Sequence, residues 1–553
     1  MGAHKDLFCE YCGYQFQASA SSETDQETNA ISDKVIVAAA CPNCRGLNRL
    51  DLRGNPNHAT FAGDRILVSK FDYVLGSPDR WDVFVFKFPN QARQNYIKRL
   101  VGLPGETLLI REGDVYVRKA ASDPWEIARK PARKIHAMRR VVSDTGHPAP
   151  LLVKAGWPSL WQPVNDSSGW QVKHDVQSWN ATLKAGSNPE VLRYYHFLPE
   201  FEAWEDILAG EQIEAPQPRQ SRLVTDYLAY NTQQVFPRSR VYKSGSLREE
   251  IQSDSRIYDL AEKASGFRPA SLLSTRGENW VGDLMGQFDV DIQSETGTVL
   301  VDLVEFGVRY QVAIDVATGE ATLTATGDGV AEAFGDKLST KGKSSISGAG
   351  SYRIEMSNFD DQIFVWVNGS LIDFDSSTAV DTWKFRSLDQ RRPYYSDNDP
   401  LDAAPIGIGG QNVELTIQRA QVFRDIHYIA AQGSSFSEYS GNKAEVLEAV
   451  PDASVRRLLR WEDAIQAIYA NPEWWAETDL FTLRRSREYQ LEEDQYFPMG
   501  DNSAASSDAR VWAGPKMVEG KYLLGKALLV FWPHTWNTPV PFTPNIARMR
   551  RIR

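Results

Sequence analysis

Short β-type runs separated by turn residues fill the middle of the chain and constrain its fold more than any other feature. Residues 287–292 alternate apolar and polar side chains, and residues 298–304 form an apolar, β-branched run. Asn368-Gly369 lies between two further runs, and this dipeptide is typical of a type I′ hairpin turn. Strands at this spacing, the last of them at residues 413–423, predict a β-sandwich.

All four cysteines lie near the start of the chain in two pairs, each with two residues between its thiols. Two such turns can direct four thiolates at one ion in tetrahedral geometry, a pattern typical of a zinc ribbon. We therefore predict structural zinc, with two disulfides or unused thiols as the alternative. The predicted ligands are Cys9, Cys12, Cys41 and Cys44.

A second group of strand-like runs is divided between the two ends of the chain. Residues 66–71, 83–88 and 96–101 have the composition of strands, and so do residues 522–532. The part between these ends is far longer than any loop, so it must fold as an inserted domain. The divided runs predict one all-β, barrel-like core that is completed by both ends of the chain.

These patterns predict a mainly β chain with a short helical segment. The helical segment rests on the helical spacing of apolar residues in 444–470, which is broken at Pro451. The predicted parts are a zinc ribbon at 1–50, the first half of the core at 51–150, an inserted β-sandwich at 151–430, a helical connector at 431–487, and the second half of the core with a basic tail at 488–553.

Two segments of the divided core resemble signature boxes of bacterial signal peptidase I, a family of Ser/Lys endopeptidases. The first box is residues 63–71 with a continuation at 96–106, and the second is residues 499–510. In the second box, Ser503 and Ala509 replace an arginine and a serine of the family pattern. The resemblance covers about a quarter of the chain and implies a peptide or preprotein bound in extended form.

The resemblance also implies roles for single residues. Lys98 corresponds to the general base, which can work only if burial lowers the pKa of its amine. Ser506 corresponds to the serine that orients this lysine. Asp508 and Arg510 correspond to a structural ion pair that braces the same loop.

The chain departs from the family pattern at the nucleophile. The family serine lies eight residues before the Gly-Asp of the first box, where this chain has Asn55, and the oxyanion-hole serine aligns with Arg53. An amide has no useful ionisation and cannot attack as a serine alkoxide does. We therefore predict a site that holds a peptide without cutting it, with Thr60 or Ser69 as a replacement nucleophile in the alternative.

The predicted sandwich resembles concanavalin-like, laminin-G-like jelly rolls. The segments that carry this resemblance are residues 353–369, 405–410 and 422–426. It implies a carbohydrate or protein ligand, so the alternative function is a non-catalytic binding protein with several domains.

Two features of the insert have both a functional and a structural interpretation. Asp397, Asn398 and Asp399 are either a cation-binding loop or a polar turn, and we favour the turn because further ligands are not evident. Trp280 and Trp366 are expected in the core rather than as platforms for a sugar.

Charge and hydropathy limit the kinds of partner that the chain is expected to bind. A net charge of −11 argues against nucleic-acid binding. Arg548, Arg550, Arg551 and Arg553 either touch an anionic lipid surface or form a solvated terminus, and we favour the solvated terminus. Because neither a signal peptide nor a membrane-spanning run is visible, we expect a cytoplasmic or membrane-peripheral protein, with peripheral membrane contact.

Overall fold

The computed structural model describes residues 2–24, 30–52, 54–91, 93–165, 168–237, 277–330, 339–382, 386–433, 435–439 and 441–552. The predicted mainly β class is confirmed, because strands far outnumber helices in these ranges. Arg53, which aligns with the oxyanion-hole serine, and Arg553 of the basic run lie outside the described residues.

The α-helices are short, and none in the described ranges is long and apolar enough to cross a membrane. They are α1 Asp72–Leu75, α2 Ala132–Met138, α3 Pro150–Lys154, α4 Phe201–Ala209, α5 Lys443–Glu448, α6 Ala453–Arg456 and α7 Trp461–Tyr469. The interruption between α5 and α6 contains Pro451, where the helical pattern was predicted to break.

The strands pair in antiparallel fashion throughout the described sheets. In the first 237 residues they are β1 His4–Phe8, β2 Gln15–Ser19, β3 Lys34–Ala40, β4 Leu47–Arg49, β5 Arg65–Ser69, β6 Val83–Lys87, β7 Asn95–Gly102, β8 Thr107–Arg111, β9 Asp114–Arg118, β10 Glu126–Ile127, β11 Arg140–Asp144, β12 Trp161–Pro163, β13 Trp170–His174, β14 Trp179–Lys184, β15 Glu190–Tyr194 and β16 Gln234–Pro237.

From residue 277 onward the strands are β17 Leu284–Ile292, β18 Thr298–Glu305, β19 Val308–Asp315, β20 Glu320–Thr326, β21 Ser339–Lys343, β22 Gly350–Ser357, β23 Phe364–Val367, β24 Ser370–Leu371, β25 Ile406–Gln411, β26 Glu414–Arg424, β27 Ser486–Gln490, β28 Gln495–Met499, β29 Val518–Glu519, β30 Leu523–Trp532 and β31 Arg550–Arg551. Together, all these strands form the sheets of three parts of the chain: the N-terminal part, the divided core and the insert.

The N-terminal cysteine-containing part consists of the hairpin β1–β2 and the sheet β16-β3-β4. Strand β16 lies far along the chain, so residues 1–50 do not form this three-stranded sheet by themselves. Its core is also shared with the insert: Trp204 and Ile207 of α4 pack beside the cysteines, and the Trp204 indole donates a hydrogen bond to the Cys44 carbonyl at 2.9 Å.

The divided core, which we call the split core, is formed by strands from residues 65–127 and 486–551. One sheet has the order β29-β28-β7-β6-β30-β31, with β5 also on β30, and the other has the order β10-β9-β8-β27. Phe84 and Leu100 from the first half pack with Phe497 and Met499 from the second half. The two ends of the chain therefore share one hydrophobic core.

The insert forms a sandwich of two sheets. Their orders are β13-β14-β26-β17-β22-β23-β24, with β11 also on β26, and β12-β15-β25-β18-β19-β20-β21. The alternation in β17 buries Phe288, Val290 and Ile292 in the core between them, as burial of one face of a strand requires. Strand β11 precedes the predicted start of the insert at residue 151, yet it pairs with β26.

The structure separates the alternatives at the acidic triplet and the two tryptophans. Asp399 forms an ion pair with Arg309, with Arg309 Nη2 at 2.7 and 2.8 Å from its two oxygens, which supports a polar turn. Trp280 and Trp366 are buried, as predicted.

One arginine of the basic run is held by ion pairs, whereas Arg550 and Arg551 are exposed. Arg548 contacts the carboxylates of Asp6 at 3.1 Å and Asp64 at 2.6 Å, and β31 pairs with β30. The expectation of a frayed end is therefore wrong for Arg548, because long-range ion pairs hold it between the N-terminal part and the split core.

Candidate peptide-bond site

Strand pairing brings the two signature boxes together. Lys98 lies in β7 opposite Phe84 of β6, and on the other side of β7, Met499 of β28 pairs with Arg99. This register places Gly500 and the loop after it beside Lys98. The Lys98 amine donates a hydrogen bond to Ser506 Oγ at 2.8 Å, so residues about four hundred positions apart form the predicted contact.

Burial is the main influence on the Lys98 amine. It lowers the pKa of Lys98, because removal from water disfavours the ammonium form. The charge of Asp508 opposes this effect, and that of Arg510 adds to it. A lysine with a lowered pKa has more neutral amine near neutral pH, and neutral amine is the form that can accept a proton.

Asp508 and Arg510 form the predicted ion pair, and both side chains are 0% exposed. Arg510 Nε lies 2.9 Å from Oδ1 of Asp508, and Nη2 lies 2.8 Å from Oδ2. Burial alone would raise the pKa of Asp508, but the guanidinium outweighs it and lowers that pKa. Asp508 Oδ2 also accepts the Gly500 backbone N–H at 2.9 Å, so the pair fixes the start of the loop.

The segment that leaves the sandwich braces the same loop. Arg510 Nη1 donates to the Ile429 carbonyl at 3.0 Å and to Ser503 Oγ at 2.9 Å, and the Ile429 N–H donates to Ser503 Oγ at 2.9 Å. Ser503, which departs from the family pattern, thus connects the insert to the site. The motif comparison did not predict this role, because the partner lies on the inserted domain.

A second ion pair that sequence reasoning missed supports Lys98 from the neighbouring position. Arg99 bonds both carboxylate oxygens of Asp501 at 2.7 Å and the Trp81 carbonyl at 2.8 Å. Burial would raise the pKa of Asp501, but Arg99 dominates and lowers it to about 2. Asp501 belongs to the Gly-Asp-Asn turn of the second box. Its place in that motif, together with the position of Arg99 next to Lys98, could have predicted this ion pair.

The Gly500 position is closed to any side chain. A Cβ there would lie 2.0 Å from Ser506 Oγ and 3.5 Å from Lys98 Nζ. We expect Gly500→Ala to displace Ser506 and to destabilise the protein by about 1–3 kcal/mol, as overpacking does. The melting temperature measures this loss. Gly186→Ala, where no atom lies within 4 Å of the added Cβ, is the matched control, and equal stability of the two variants would refute the packing argument.

Asn55, which the sequence pattern aligns with the family nucleophile, forms its side-chain hydrogen bonds within its own turn. It caps the 3₁₀ turn Pro56–His58: its side-chain oxygen accepts the Asn57 N–H at 3.0 Å, and Nδ2 lies 3.1 Å from His58 Nε2. The turn also meets the C-terminal segment, since the Asn537 N–H donates to Asn57 Oδ1 at 2.7 Å. These contacts tie Asn55 to the turn and give it no bond to Lys98.

Neither replacement hydroxyl meets the lysine. Thr60 Oγ1 donates to a carboxylate oxygen of Glu23 in the N-terminal part. Ser69 lies in β5 opposite Lys526 of β30. Within the described ranges, Ser506 supplies the one hydroxyl that is hydrogen-bonded to the Lys98 amine.

One edge of β7 is open beside Lys98. Strand β28 pairs with β7 only from Arg99 to Gly102, and the chain then turns away at Gly500. No described strand pairs with residues 95–98 on that side. Unpaired backbone groups of this kind are a template for an added strand.

The four cysteines form a compact buried cluster, and their sulfurs lie within 4.8 Å of one another. The Cys9–Cys44 sulfur distance is 3.6 Å and the Cys12–Cys41 distance is 3.7 Å. Sulfurs at about 2.3 Å from a tetrahedral zinc ion are about 3.8 Å apart, whereas a disulfide needs about 2.05 Å. The residues therefore fit a metal, and in this structure the four cysteines form no disulfide.

Comparison with known proteins points to one family for the split core. The family model described as "Signal peptidase, peptidase S26" matches residues 36–156 and 406–532. Signal peptidase I of Pseudomonas aeruginosa is 44% identical over 68 residues, which are 10% of this chain and 24% of the relative. Signal peptidase I V of Bacillus subtilis is 36% identical over 64 residues, which are 11% of this chain and 37% of the relative.

Solved structures resemble the chain only distantly. A Bacillus subtilis protein of unknown function with a galectin-like fold has a TM-score of 0.25 and 9% identity, and the match covers 52% of this chain and 98% of that one. Caenorhabditis elegans galectin LEC-6 has a TM-score of 0.18 and 12% identity, and the match covers 25% of this chain and 81% of the galectin. Scores this low support no inference about the ligand of the sandwich.

The matches to curated relatives are partial on both sides. This chain spans between a fifth and a third of the length of the first relatives it matches, with 24%, 20% and 34% covered. The family model nevertheless matches both ends of the chain, and these are the ends that pair around Lys98. The family model and the curated relatives therefore show that the parts of the chain around Lys98 are similar to signal peptidases of family S26.

Proposed function

We propose that the split core holds an extended segment of a preprotein beside Lys98 and does not cut it. The observation that carries this proposal is Asn55 at the position of the family nucleophile, in a site where Lys98, Ser506, Asp508 and Arg510 are all present. The protein is then a signal-peptidase-like pseudoenzyme that keeps binding interactions and lacks the covalent route.

The chemistry of the Ser/Lys pair explains why the missing alcohol is decisive. The serine oxygen attacks the peptide carbonyl while the neutral lysine takes its proton. Ser506 is the remaining hydroxyl at Lys98, but it is only 6% exposed and closely packed against Gly500. That packing suits a serine that orients the lysine and does not suit attack on a bound peptide. Binding without acylation follows.

The open edge of β7 supports an extended ligand. A peptide that pairs with residues 95–98 would continue the sheet where β28 leaves it, and its backbone would pass the Lys98 amine. Main-chain hydrogen bonds supply affinity in this mode, and alternate side chains supply specificity. The carbohydrate or protein ligand proposed for the sandwich rests on the sequence resemblance alone.

Hydrogen exchange with a synthetic signal peptide tests this proposal on the full chain. We expect slower exchange of the backbone amides at residues 95–98 when the peptide is bound, and an unchanged peptide mass after incubation. The edge strand β13, which pairs only with β14, is the internal control. Protection absent from 95–98, or equal at both edges, would exclude binding at β7.

We also propose peripheral contact of the split core with a membrane surface. Neighbouring elements α1, β5 and β30 expose large apolar side chains, and such patches mark interaction sites. The side chains are Leu67, Phe71, Val74, Leu75, Phe531 and Trp532. A membrane-facing patch would place the site near a preprotein that emerges from a bilayer.

Sedimentation with vesicles of phosphatidylcholine and phosphatidylglycerol checks this contact. Leu75 is 85% exposed, and we expect Leu75→Asp to reduce the bound fraction about tenfold, since burial of one leucine contributes about 1.5–3 kcal/mol. Leu458→Asp, at a side chain 86% exposed on the helical connector, is the matched control. Equal loss in both variants would count against a specific membrane face.

A further inference from the structure

A small cavity between the split core and the sandwich has fifteen lining residues, of which six are acidic. Its volume is about 20 Å³, close to the room that one water molecule or one bare ion requires. The split core contributes Glu112 and Asp114, and the rest come from the insert. The insert's acidic lining residues are Asp283, Glu305, Asp361 and Asp425.

The basic side chains near this cavity are already paired. Lys130 bonds Asp360 and lies 2.6 Å from Asp425, and Arg391 lies 3.0 Å from Glu112, which Arg484 also approaches. The Asp361 carboxylate accepts hydrogen bonds from the Thr382 backbone and hydroxyl. These contacts account for four of the acids in and around the cavity.

Three carboxylates of the cavity have no cationic partner within the described ranges: Asp114, Asp283 and Glu305. The Asp114 side chain forms no hydrogen bond or ion pair with any described group. Glu305, a residue only 6% exposed, bonds the Asn358 amide through Oε2, and its other oxygen has no partner. Buried charges are normally paired or bound to metal, so the buried Glu305 beside the half-buried Asp114 calls for a cation.

The spacing of the oxygens fits one ion. Asp114, Asp283 and Asp360 each offer an oxygen, and these three atoms lie within 4.8 Å of one another. Ca²⁺ takes oxygen ligands at about 2.3–2.6 Å in flexible geometry, whereas Mg²⁺ demands near-octahedral geometry and keeps several waters, for which a cavity of about 20 Å³ has no room. All the donors are oxygen, which favours calcium over zinc or copper.

We propose that this cavity is a Ca²⁺ site that joins the split core to the sandwich. Asp114 of β9 supplies the ligand from the split core. Asp283, which precedes β17, supplies a ligand from the insert, and Asp360, in the turn before β23, adjoins the ion while it keeps its bonds to Lys130. Glu305 also lines the cavity and can supply a further ligand.

Protonation is the competing way to relieve the charge. Burial raises the pKa of Asp114, Asp283 and Glu305 well above the ordinary carboxyl range. Calcium-free protein is thus expected to keep protons on these groups to a higher pH than ordinary carboxyl groups do. Bound Ca²⁺ releases those protons, because a metal requires the carboxylate form.

The site also has a route to the peptide-bond loop. Asp425 lines the cavity, and four residues later Ile429 bonds Ser503 and Arg510 of the second box. An ion that fixes the sandwich against the split core therefore fixes the segment that braces Ser506. Calcium binding and the order of this loop are expected to change together.

The test uses full-chain protein dialysed into calcium-depleted buffer that contains Zn²⁺, so that the cysteine cluster is left undisturbed. Isothermal titration with CaCl₂ is expected to give one Ca²⁺ per chain, and the melting temperature is expected to rise with calcium. Wild-type protein that binds no stoichiometric Ca²⁺ up to about 1 mM overturns the proposal, as does an unchanged melting temperature.

Substitutions of single carboxylates show where the ion binds and distinguish a loss of Ca²⁺ affinity from a loss of folding. Asp283→Asn and Asp114→Asn should each weaken Ca²⁺ binding at least tenfold, whereas Asp206→Asn, on the exposed face of α4, should bind like wild type. Without calcium, Asp283→Asn should be at least as stable as wild type, because the uncharged amide has the shape of the carboxyl group and needs no proton to remain neutral. Wild-type affinity in both cavity variants would overturn the assignment, and if one variant fails to fold, the other decides.

Discussion

Replacement of Asp508 by asparagine is expected to destabilise the split core by about 3–5 kcal/mol. The substitution leaves the Arg510 guanidinium buried without its counter-charge, and the loss of one partner of a buried pair is far costlier than the pair's net contribution. It also changes the acceptor of the Gly500 N–H, so the loop that carries Ser506 loses its anchor.

Calorimetry of the full chain measures this effect as a fall in the melting temperature of the split core. Glu519→Gln is the matched control, because it removes one partner of an exposed ion pair with Lys521. Exposed pairs contribute little, so the control is expected to lose less than about 1 kcal/mol. A loss equally small for Asp508→Asn would mean that the buried pair does not hold the loop.

Loss of the metal from the cysteine cluster is the second large effect that we expect. Zinc contributes about 10–16 kcal/mol of apparent binding energy in small structural sites. Cys44→Ser removes one of the four thiolates, and the Cys44 carbonyl is also where Trp204 bonds, so the insert should loosen with the N-terminal part. We expect the variant to lack zinc and to be cleaved rapidly by trypsin within residues 2–50.

Elemental analysis and limited proteolysis test the zinc prediction together. Reduced wild-type protein should carry one zinc per chain and resist trypsin. A chelator should convert it to the behaviour of Cys44→Ser, and added zinc should reverse that change. Metal-free wild-type protein with unchanged resistance would show that the shared core alone holds this part of the fold.

Sequence patterns anticipated the features that depend on local spacing. The two Cys-x-x-Cys pairs predicted four clustered sulfurs, and the alternation in 287–292 predicted a half-buried strand of the sandwich. The two boxes predicted the contact between Lys98 and Ser506, because a resemblance carries three-dimensional proximity along with the motif. Local patterns of this kind need no knowledge of distant partners.

Features that depend on pairing across the chain could not be predicted in this way. Strand β16 completes the sheet of the N-terminal part, and β11 joins the sandwich although it precedes the predicted insert. The same limit applies to the carboxylates of Asp114, Asp283 and Asp360, which adjoin one another only after two domains pack. A period in the sequence reveals which face of a strand is buried and not which strand covers it.

Asn55 explains why the prediction for activity differs from that for binding. Ser506, Asp508 and Arg510 are arranged around a lysine whose pKa is lowered, so the supporting parts of the site are in place. Asn55 caps a turn, and its amide does not ionise, so it cannot transfer a proton to the lysine as an attacking serine does. Peptide binding at the β7 edge does not require a nucleophilic hydroxyl, whereas acylation does.

Incubation of the purified chain with a signal-peptide substrate tests the central claim most directly. Mass spectrometry is expected to find the substrate intact and no serine covalently labelled by a serine-reactive inhibitor. Turnover that disappears in Lys98→Ala, with the inhibitor attached to one hydroxyl beside that lysine, would contradict the claim and identify a working nucleophile.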